Sequence, residues 1–231
     1  IYRFIDKGKP EKNLYNSVYY QLENIALKKN KYLGSPGLAM SILGNTTDRF
    51  IFFDLEQAAL DNVAAFALEN KLQNKITTIC QDSILGVSEQ LANLPESTFI
   101  HIDPYLIDRP SSNGWNYLDI FVNAAEKGIK CLLWYGFNTL NEKEGLNKFI
   151  INKLSNKNIR NLLCIELIME IIQKDTILCN PGILGNGLLI GNLSDNSMNT
   201  VMRYSELLTY VYNDSTYKGN KGDLYRDNLE L

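Results

Sequence analysis

Histidine is almost missing from this sequence: His101 is the one example in 231 residues. The four cysteines, Cys80, Cys131, Cys164 and Cys179, are scattered and form no CxxC pair. Protein zinc sites draw on clustered His and Cys ligands, so no metal site is expected. Three of the cysteines lie inside apolar runs and read as buried thiols. That usage suits a reducing, cytoplasmic setting better than a secreted, disulfide-bonded one. No apolar run approaches the roughly 20 residues that span a bilayer. Nor is a secretory leader visible, because the first ten residues carry Arg3, Asp6, Lys7 and Lys9 and no apolar core. An excess of positive charge is absent as well. The net charge is −3, so any nucleic-acid partner would have to be held by a local basic patch.

What is present is an ordinary globular composition. Hydrophobic residues make up 45% and charged residues 21% of the chain, whose 231 residues suit one large domain or two small ones. Over 15–27, Tyr15, Val18, Tyr19, Leu22, Ile25 and Ala26 recur at helical spacing. The turn cluster Tyr32-Leu33-Gly34-Ser35-Pro36-Gly37 leads into another helix, with Ser35 or Pro36 near its start. Strands are expected over 48–54, 76–80, 99–102, 129–137, 159–169 and 188–190. Helices are expected over 57–70, 83–94, 115–127, 145–154 and 198–212. Residues 182–187 read as a glycine-rich turn and 177–179 as a short strand or bulge. The alternation predicts an α/β fold, with a Rossmann-like, mostly parallel sheet and helices on both faces. The closing strand–turn–strand run adds an antiparallel edge hairpin. The organisation expected is an N-terminal helical segment 1–31, an α/β core 32–212 and a polar C-terminal tail 213–231.

Chemistry concentrates in one stretch, Phe99-Ile100-His101-Ile102-Asp103-Pro104-Tyr105. It reads as a buried strand stopped by an acid, a rigid proline and an aromatic ring. Ligands of open α/β sheets bind outside the carboxyl ends of the strands. There an acid can accept a hydrogen bond from an amino group, and a ring can stack on a planar base. Two earlier strands also end near an acid, at Asp54 and Asp82. Three acids on one edge of a parallel sheet would line a single crevice. Each could equally cap the helix that follows, a role Asp favours, and Asp82 is the strongest candidate for capping.

The order of elements resembles a class I S-adenosylmethionine-dependent methyltransferase. More closely, it resembles the bacterial family that methylates N6 of an adenine in large-subunit ribosomal RNA. Tyr32-Leu33-Gly34-Ser35-Pro36 is similar to that family's Tyr-Pro-Gly-Ser-Pro segment. Ile102-Asp103-Pro104-Tyr105 resembles its Ile-Asp-Pro-Pro-Tyr, and Asp82 its Asp-Gly-Phe acid. Trp134-Tyr135, Ile165-Glu166-Leu167 and Gly185-Asn186-Gly187 fall where the family has Trp-Tyr-Pro, Ile-Glu-Leu and Gly-Ser-Gly. The resemblance implies roles. Asp54 would hold the ribose hydroxyls of S-adenosylmethionine, Asp82 would lie near its adenine, and Ser35 and Pro36 would belong to the same cofactor site. Asp103 and the Pro104 carbonyl would take hydrogen bonds from the target amino group, and Tyr105 would stack on the base. The implied partner is nucleic acid, RNA before DNA, with the target base flipped out of its structure.

Departures from the family pattern define the alternatives. Here the motif reads Asp103-Pro104-Tyr105-Leu106, so leucine stands where the family has its tyrosine. The family's Asp-Thr-His-Ala-Gly loop has no counterpart and would lie upstream of Ile1. A fold-retaining relative that binds a nucleotide, nucleic acid or protein without catalysis is one alternative. A DNA methyltransferase using residues 108–116 as a substrate loop is the other. A basic patch around Arg109, Lys143 and Lys148 would favour a nucleic-acid partner.

Overall fold

The computed structural model describes residues 2–104, 106–169, 184–212, 215–217, 220–222 and 224–231. The chain divides into two compact units, 1–86 and 87–231. Among the described residues no helix is long and apolar enough to cross a membrane.

The first unit opens with three helices, α1 (Tyr2–Gly8), α2 (Lys12–Tyr15) and α3 (Val18–Leu27). Ser17 fixes where α3 begins: its hydroxyl accepts from the Tyr20 N–H at 3.2 Å, an N-cap. The helix therefore starts three residues after the tyrosine that opens the periodic pattern. Tyr20 is packed away, and its hydroxyl donates to the Ile5 carbonyl at 3.3 Å. Next come α4 (Gly34–Leu43), β1 (Phe50–Asp54), α5 (Gln57–Glu69), β2 (Ile76–Cys80) and α6 (Ser83–Gln90), within which the unit boundary falls. Strands β1 and β2 are parallel, in register from Phe50 opposite Ile76 to Asp54 opposite Cys80. Met40, Phe50, Ala67 and Leu72 form one buried apolar cluster, with Phe52, Val63, Phe66 and Ile76 packed around them.

One residue in this unit is out of place energetically. Glu23 on α3 has no exposed surface. Neither of its carboxylate oxygens has a hydrogen-bond partner among the described residues. Burial raises its pKa, only partly opposed by the nearby Leu33 N–H. An acid with a raised pKa weakens the fold above that pKa and stops doing so once it is protonated. Glu23→Leu is therefore expected to raise the melting temperature at pH 7, by the equivalent of about 1–3 kcal/mol. The gain should shrink as the pH falls toward 4, which calorimetric melts at the two pH values would check.

The second unit contains β3 (Phe99–Ile102), α7 (Tyr117–Glu126), β4 (Lys130–Phe137), α8 (Leu140–Leu154), β5 (Leu163–Met169), β6 (Gly185–Gly191) and α9 (Asp195–Val211). Short strands β7 (Ser215–Tyr217) and β8 (Asn220–Gly222) pair with each other, and β9 (Leu224–Leu229) closes the described chain's strands. The five-stranded sheet has the order β3-β4-β6-β5-β9. Only β3 and β4 are parallel in it; β6 runs antiparallel to β4 and β5, and β9 antiparallel to β5. Helices cover both faces. Arg226 on β9 reaches Glu206 of α9, while its neighbour Asp227 reaches Lys143 of α8. Successive strand residues point to opposite faces, so α8 and α9 lie on opposite sides of the sheet.

Three expectations need correction. The antiparallel pair β5–β6 exists, but β6 inserts between β4 and β5, so the pair is interior and β9 forms the edge. Residues 185–187 are strand, not turn, for a packing reason. A Cβ on Gly185 would meet the Phe137 ring at 2.6 Å, and one on Gly187 would meet the Tyr135 ring at 2.1 Å. Glycine there makes room for aromatic rings rather than for a bend. Residues 224–229, read as polar tail, form β9 with Leu224, Arg226 and Leu229 half-buried, and complete the sheet. The segment 177–179 and Cys179 lie outside the described residues.

Candidate functional site

Strand β3 is short and sharply ended. Ile100 and Ile102 are buried while Phe99 and His101 are exposed, the period-two pattern of a strand with one covered face. Pro104 ends the ladder because it has no N–H to donate and its φ is fixed. Asp103 is exposed at this carboxyl end and Pro104 is half-buried. Tyr105 lies outside the described residues. Leu106 is 44% exposed, and Ile107, fully buried, pins the chain beyond it.

The imidazole of His101 responds to this setting. Surrounding protein lowers its pKa by desolvation, and the negative charge of Asp103 pulls it partly back up. The imidazole is therefore the neutral form near pH 7. The following loop, 108–116, is a compact turn: Ser111 N–H donates to the Trp115 carbonyl at 2.7 Å and Gly114 adopts φ +81°. Asn116 and Asp119 then close a capping box at the start of α7.

The other acids sit in the first unit. Asp54 is exposed at the end of β1, and its Oδ1 accepts from the Glu56 N–H at 2.8 Å. Its register partner is Cys80. Asp82 is half-buried, and its Oδ1 accepts from the Ile84 N–H at 2.8 Å, which is the capping geometry of α6. Both acids thus spend one oxygen on local backbone. Ser35 is exposed and Pro36 half-buried in the first turn of α4, which starts at Gly34 with φ +62°. Asp54, Asp82, Ser35 and Pro36 belong to one unit and Asp103 and Pro104 to the other. The β1–β2 pair and the sheet carrying β3 are separate hydrogen-bonded sheets.

Two sequence readings change on contact with the structure. Cys80 is exposed rather than a buried thiol. Cys131 and Cys164 are buried as expected, and burial pushes both thiols up to about 12. Lys143 does not belong to a surface basic patch. Its side chain is 11% exposed, and its Nζ lies 2.8 Å from Glu166 Oε2 and 2.8 Å from Asp227 Oδ2. Arg109 and Lys148 remain exposed.

Lys143 is part of a polar cluster that the sequence did not reveal. Glu166, fully buried, also accepts from the Tyr135 hydroxyl at 3.0 Å and from the Asn147 amide at 3.3 Å. The Cys164 thiol is 3.3 Å from the same hydroxyl. Burial, reinforced by Cys164 and Glu166, drives the tyrosine pKa far up. The only signal in the sequence was an acid interrupting an apolar run. This cluster is internally satisfied and holds the sheet together.

Comparison with known proteins gives a fold and no family. No protein-family model matches the chain, and no curated protein does. A crystal structure of protein LPL1258 from Legionella pneumophila, family-model DUF519, matches with a TM-score of 0.56 at 22% identity, over 92% of this chain and 75% of that one. The chain shares that protein's fold. Weaker overlaps include the SAM-dependent methyltransferase from Agrobacterium tumefaciens, with a TM-score of 0.43 at 15% identity over 75% of this chain and 60% of that one. A candidate rRNA-methylase from Clostridium thermocellum gives 0.39 at 10% identity, over 68% and 84%. Overlaps at these last two levels establish no shared fold.

Proposed function

We propose that this protein is an S-adenosylmethionine-dependent methyltransferase acting on the N6 amino group of an adenine in RNA. One observation carries the reading: a half-covered strand delivers Asp103 to solvent at its carboxyl end, with Pro104 fixing the chain immediately after it. An exposed carboxylate and a rigidly placed carbonyl are two acceptors suited to the two protons of an exocyclic amine. Holding that amine by both protons would direct its lone pair and remove its rotational freedom, which is where enzymes of this kind gain most.

The first unit suits the methyl donor. Asp54 has one carboxylate oxygen engaged by the Glu56 N–H, and its other oxygen makes no hydrogen bond among the described residues. A strand-end acid of that kind fits a ribose diol. S-adenosylmethionine supplies, when bound, an electrophilic methyl group. Asp82, Ser35 and Pro36 are assigned to the same cofactor by the sequence resemblance, and Tyr105 to stacking on the base. Localisation in the cytoplasm follows from the same reading.

The test uses the full-length protein. Calorimetry should show micromolar S-adenosylmethionine binding that Asp54→Ala abolishes. Transfer of labelled methyl to RNA should fall by about 10²–10³-fold in Asp103→Ala, the usual cost of deleting a positioned transition-state partner, with cofactor binding unchanged. Activity surviving in Asp103→Ala would remove that residue from the mechanism. A second reading, a nucleotide- or protein-binding scaffold without catalysis, is favoured by Leu106: it is 44% exposed at the position of the family's stacking tyrosine. A folded protein that binds no S-adenosylmethionine would select it.

A further inference from the structure

We propose that His101 works with Asp103 as the proton acceptor of the methyl-transfer step, taking the proton that the methylated amine must lose. The inference rests on the methyltransferase reading above and extends it to a residue outside the Asp-Pro motif.

Placement is the first argument. Phe99 and His101 occupy the exposed side of β3, and Ile100 and Ile102 the buried side. Asp103 follows two residues after His101, just past the carboxyl end of β3 and exposed like the histidine, at a Cα separation of at most about 7 Å. At that spacing, a carboxylate and an imidazole can exchange a proton through a bridging water. The electrostatics agree, because the Asp103 charge raises the imidazole pKa against the larger lowering effect of desolvation by nearby protein, which acts even though the side chain keeps exposed surface. Asp103 is the charge that acts on the imidazole. The register partner of His101 on β4 is Leu132, and the nearest cation in the register is Lys130, opposite Phe99 at the far end of the strand.

The chemistry supplies the need. As the nitrogen lone pair becomes the new N–C bond, the electrons of the S–C bond stay on sulfur, and the nitrogen is left with a positive charge and a surplus proton. Asp103, holding that amine, is the first acceptor. A neutral imidazole beside it can receive the proton from Asp103 and release it to solvent, returning the carboxylate to its starting state. His101 thus acts through Asp103 as a positioning and relay residue.

His101 is the only histidine, so one imidazole resonance in a proton NMR titration reports on it. In the intact protein its midpoint should fall below about 6.5, the usual histidine value. Asp103→Asn should move the midpoint further down, because the carboxylate that favours imidazolium is gone. A midpoint indifferent to Asp103→Asn overturns the pairing whether or not the protein methylates anything. For the reaction, His101→Gln should lower kcat about 10²-fold and flatten the acid limb of the pH–rate profile. KM for S-adenosylmethionine and calorimetric binding of it should hold. Binding that persists also reports that the variant is folded, and His101→Asn serves if glutamine disturbs β3. A wild-type pH profile in both variants overturns the relay. Absence of methyl transfer by the wild type, with the NMR coupling intact, counts against the methyltransferase reading instead.

Discussion

Lys143→Met is expected to destabilise the second unit by about 3–5 kcal/mol, the cost of removing one partner of a buried ion pair. The carboxylate of Glu166 has no exposed surface, and among the described residues Lys143 is the cation paired with it, 2.8 Å away. Its remaining contacts would be neutral donors from Tyr135 and Asn147, which cannot offset a full buried charge. Asp227 would lose the same lysine, but it is half-exposed and can turn to water. Urea unfolding of Lys143→Met should therefore show a large fall in midpoint. The double variant Lys143→Met with Glu166→Gln should recover much of it, since a neutral pair of similar shape leaves no unpaired charge. If the single and double variants are equally unstable, the loss is one of packing.

The same pair predicts a pH dependence. Desolvation lowers the Lys143 pKa, but hydrogen bonds and charge from Asp227 and Glu166 outweigh it and the net shift is upward. A cation with a raised folded pKa contributes stability in full below its unfolded value, near 10.5. That contribution is lost as the pH rises through the higher folded value. Wild-type stability should thus fall steeply in the alkaline range above 10.5, and Lys143→Met should show a shallower fall there.

Gly187→Ala is the second large effect. Tyr135 on β4 and Glu166 on β5 are both register partners of Gly187 on the strand between them. The tyrosine ring crosses above that glycine to bring its hydroxyl within 3.0 Å of Glu166. An added methyl would lie 2.1 Å from ring carbon Cζ and 2.4 Å from the hydroxyl oxygen. Both atoms belong to a fully buried side chain, so the ring cannot swing aside cheaply. Overpacking of this kind costs about 1–3 kcal/mol, and displacing the hydroxyl from Glu166 adds the loss of a buried hydrogen bond, about 1–3 kcal/mol more. A double-mutant cycle with Tyr135→Ala isolates the clash: Gly187→Ala should be far less harmful when the ring is already gone.

These two sites explain what the sequence could and could not convey. Periodicity placed β2 and β3 at their observed bounds and most helices within a few residues, because local burial patterns decide them. It misread Gly185 and Gly187 because the reason for those glycines is two aromatic rings some fifty residues earlier, a non-local fact. It missed β9 because an edge strand whose half-buried Leu224, Arg226 and Leu229 are interspersed with exposed Tyr225, Asp227 and Asn228 looks polar until its partner is known. It placed Lys143 on the surface, as composition alone would. Of the candidate site, the strand-end acids were legible individually, with capping as one reading of each; the structure shows Asp54 and Asp82 each committing an oxygen to local backbone. His101 was counted as a scarcity, whereas it lies on the exposed side of β3 where the charge of Asp103 reaches it.

The edge position of β9 carries a consequence for the order in which the protein can be made. Lys143 and Asp227 stand 84 residues apart along the chain. During synthesis α8, β5 and β6 emerge first, with Glu166 and Lys143 already able to meet, while one edge of β5 still lacks its neighbour. Ribosomes add roughly 5–20 residues per second, so that open edge persists for several seconds in each new molecule. Its exposed backbone groups are a template for strands of other chains over that interval. Arrival of β9 closes the window, with Arg226 fastening it to α9 on one side and Asp227 to Lys143 on the other.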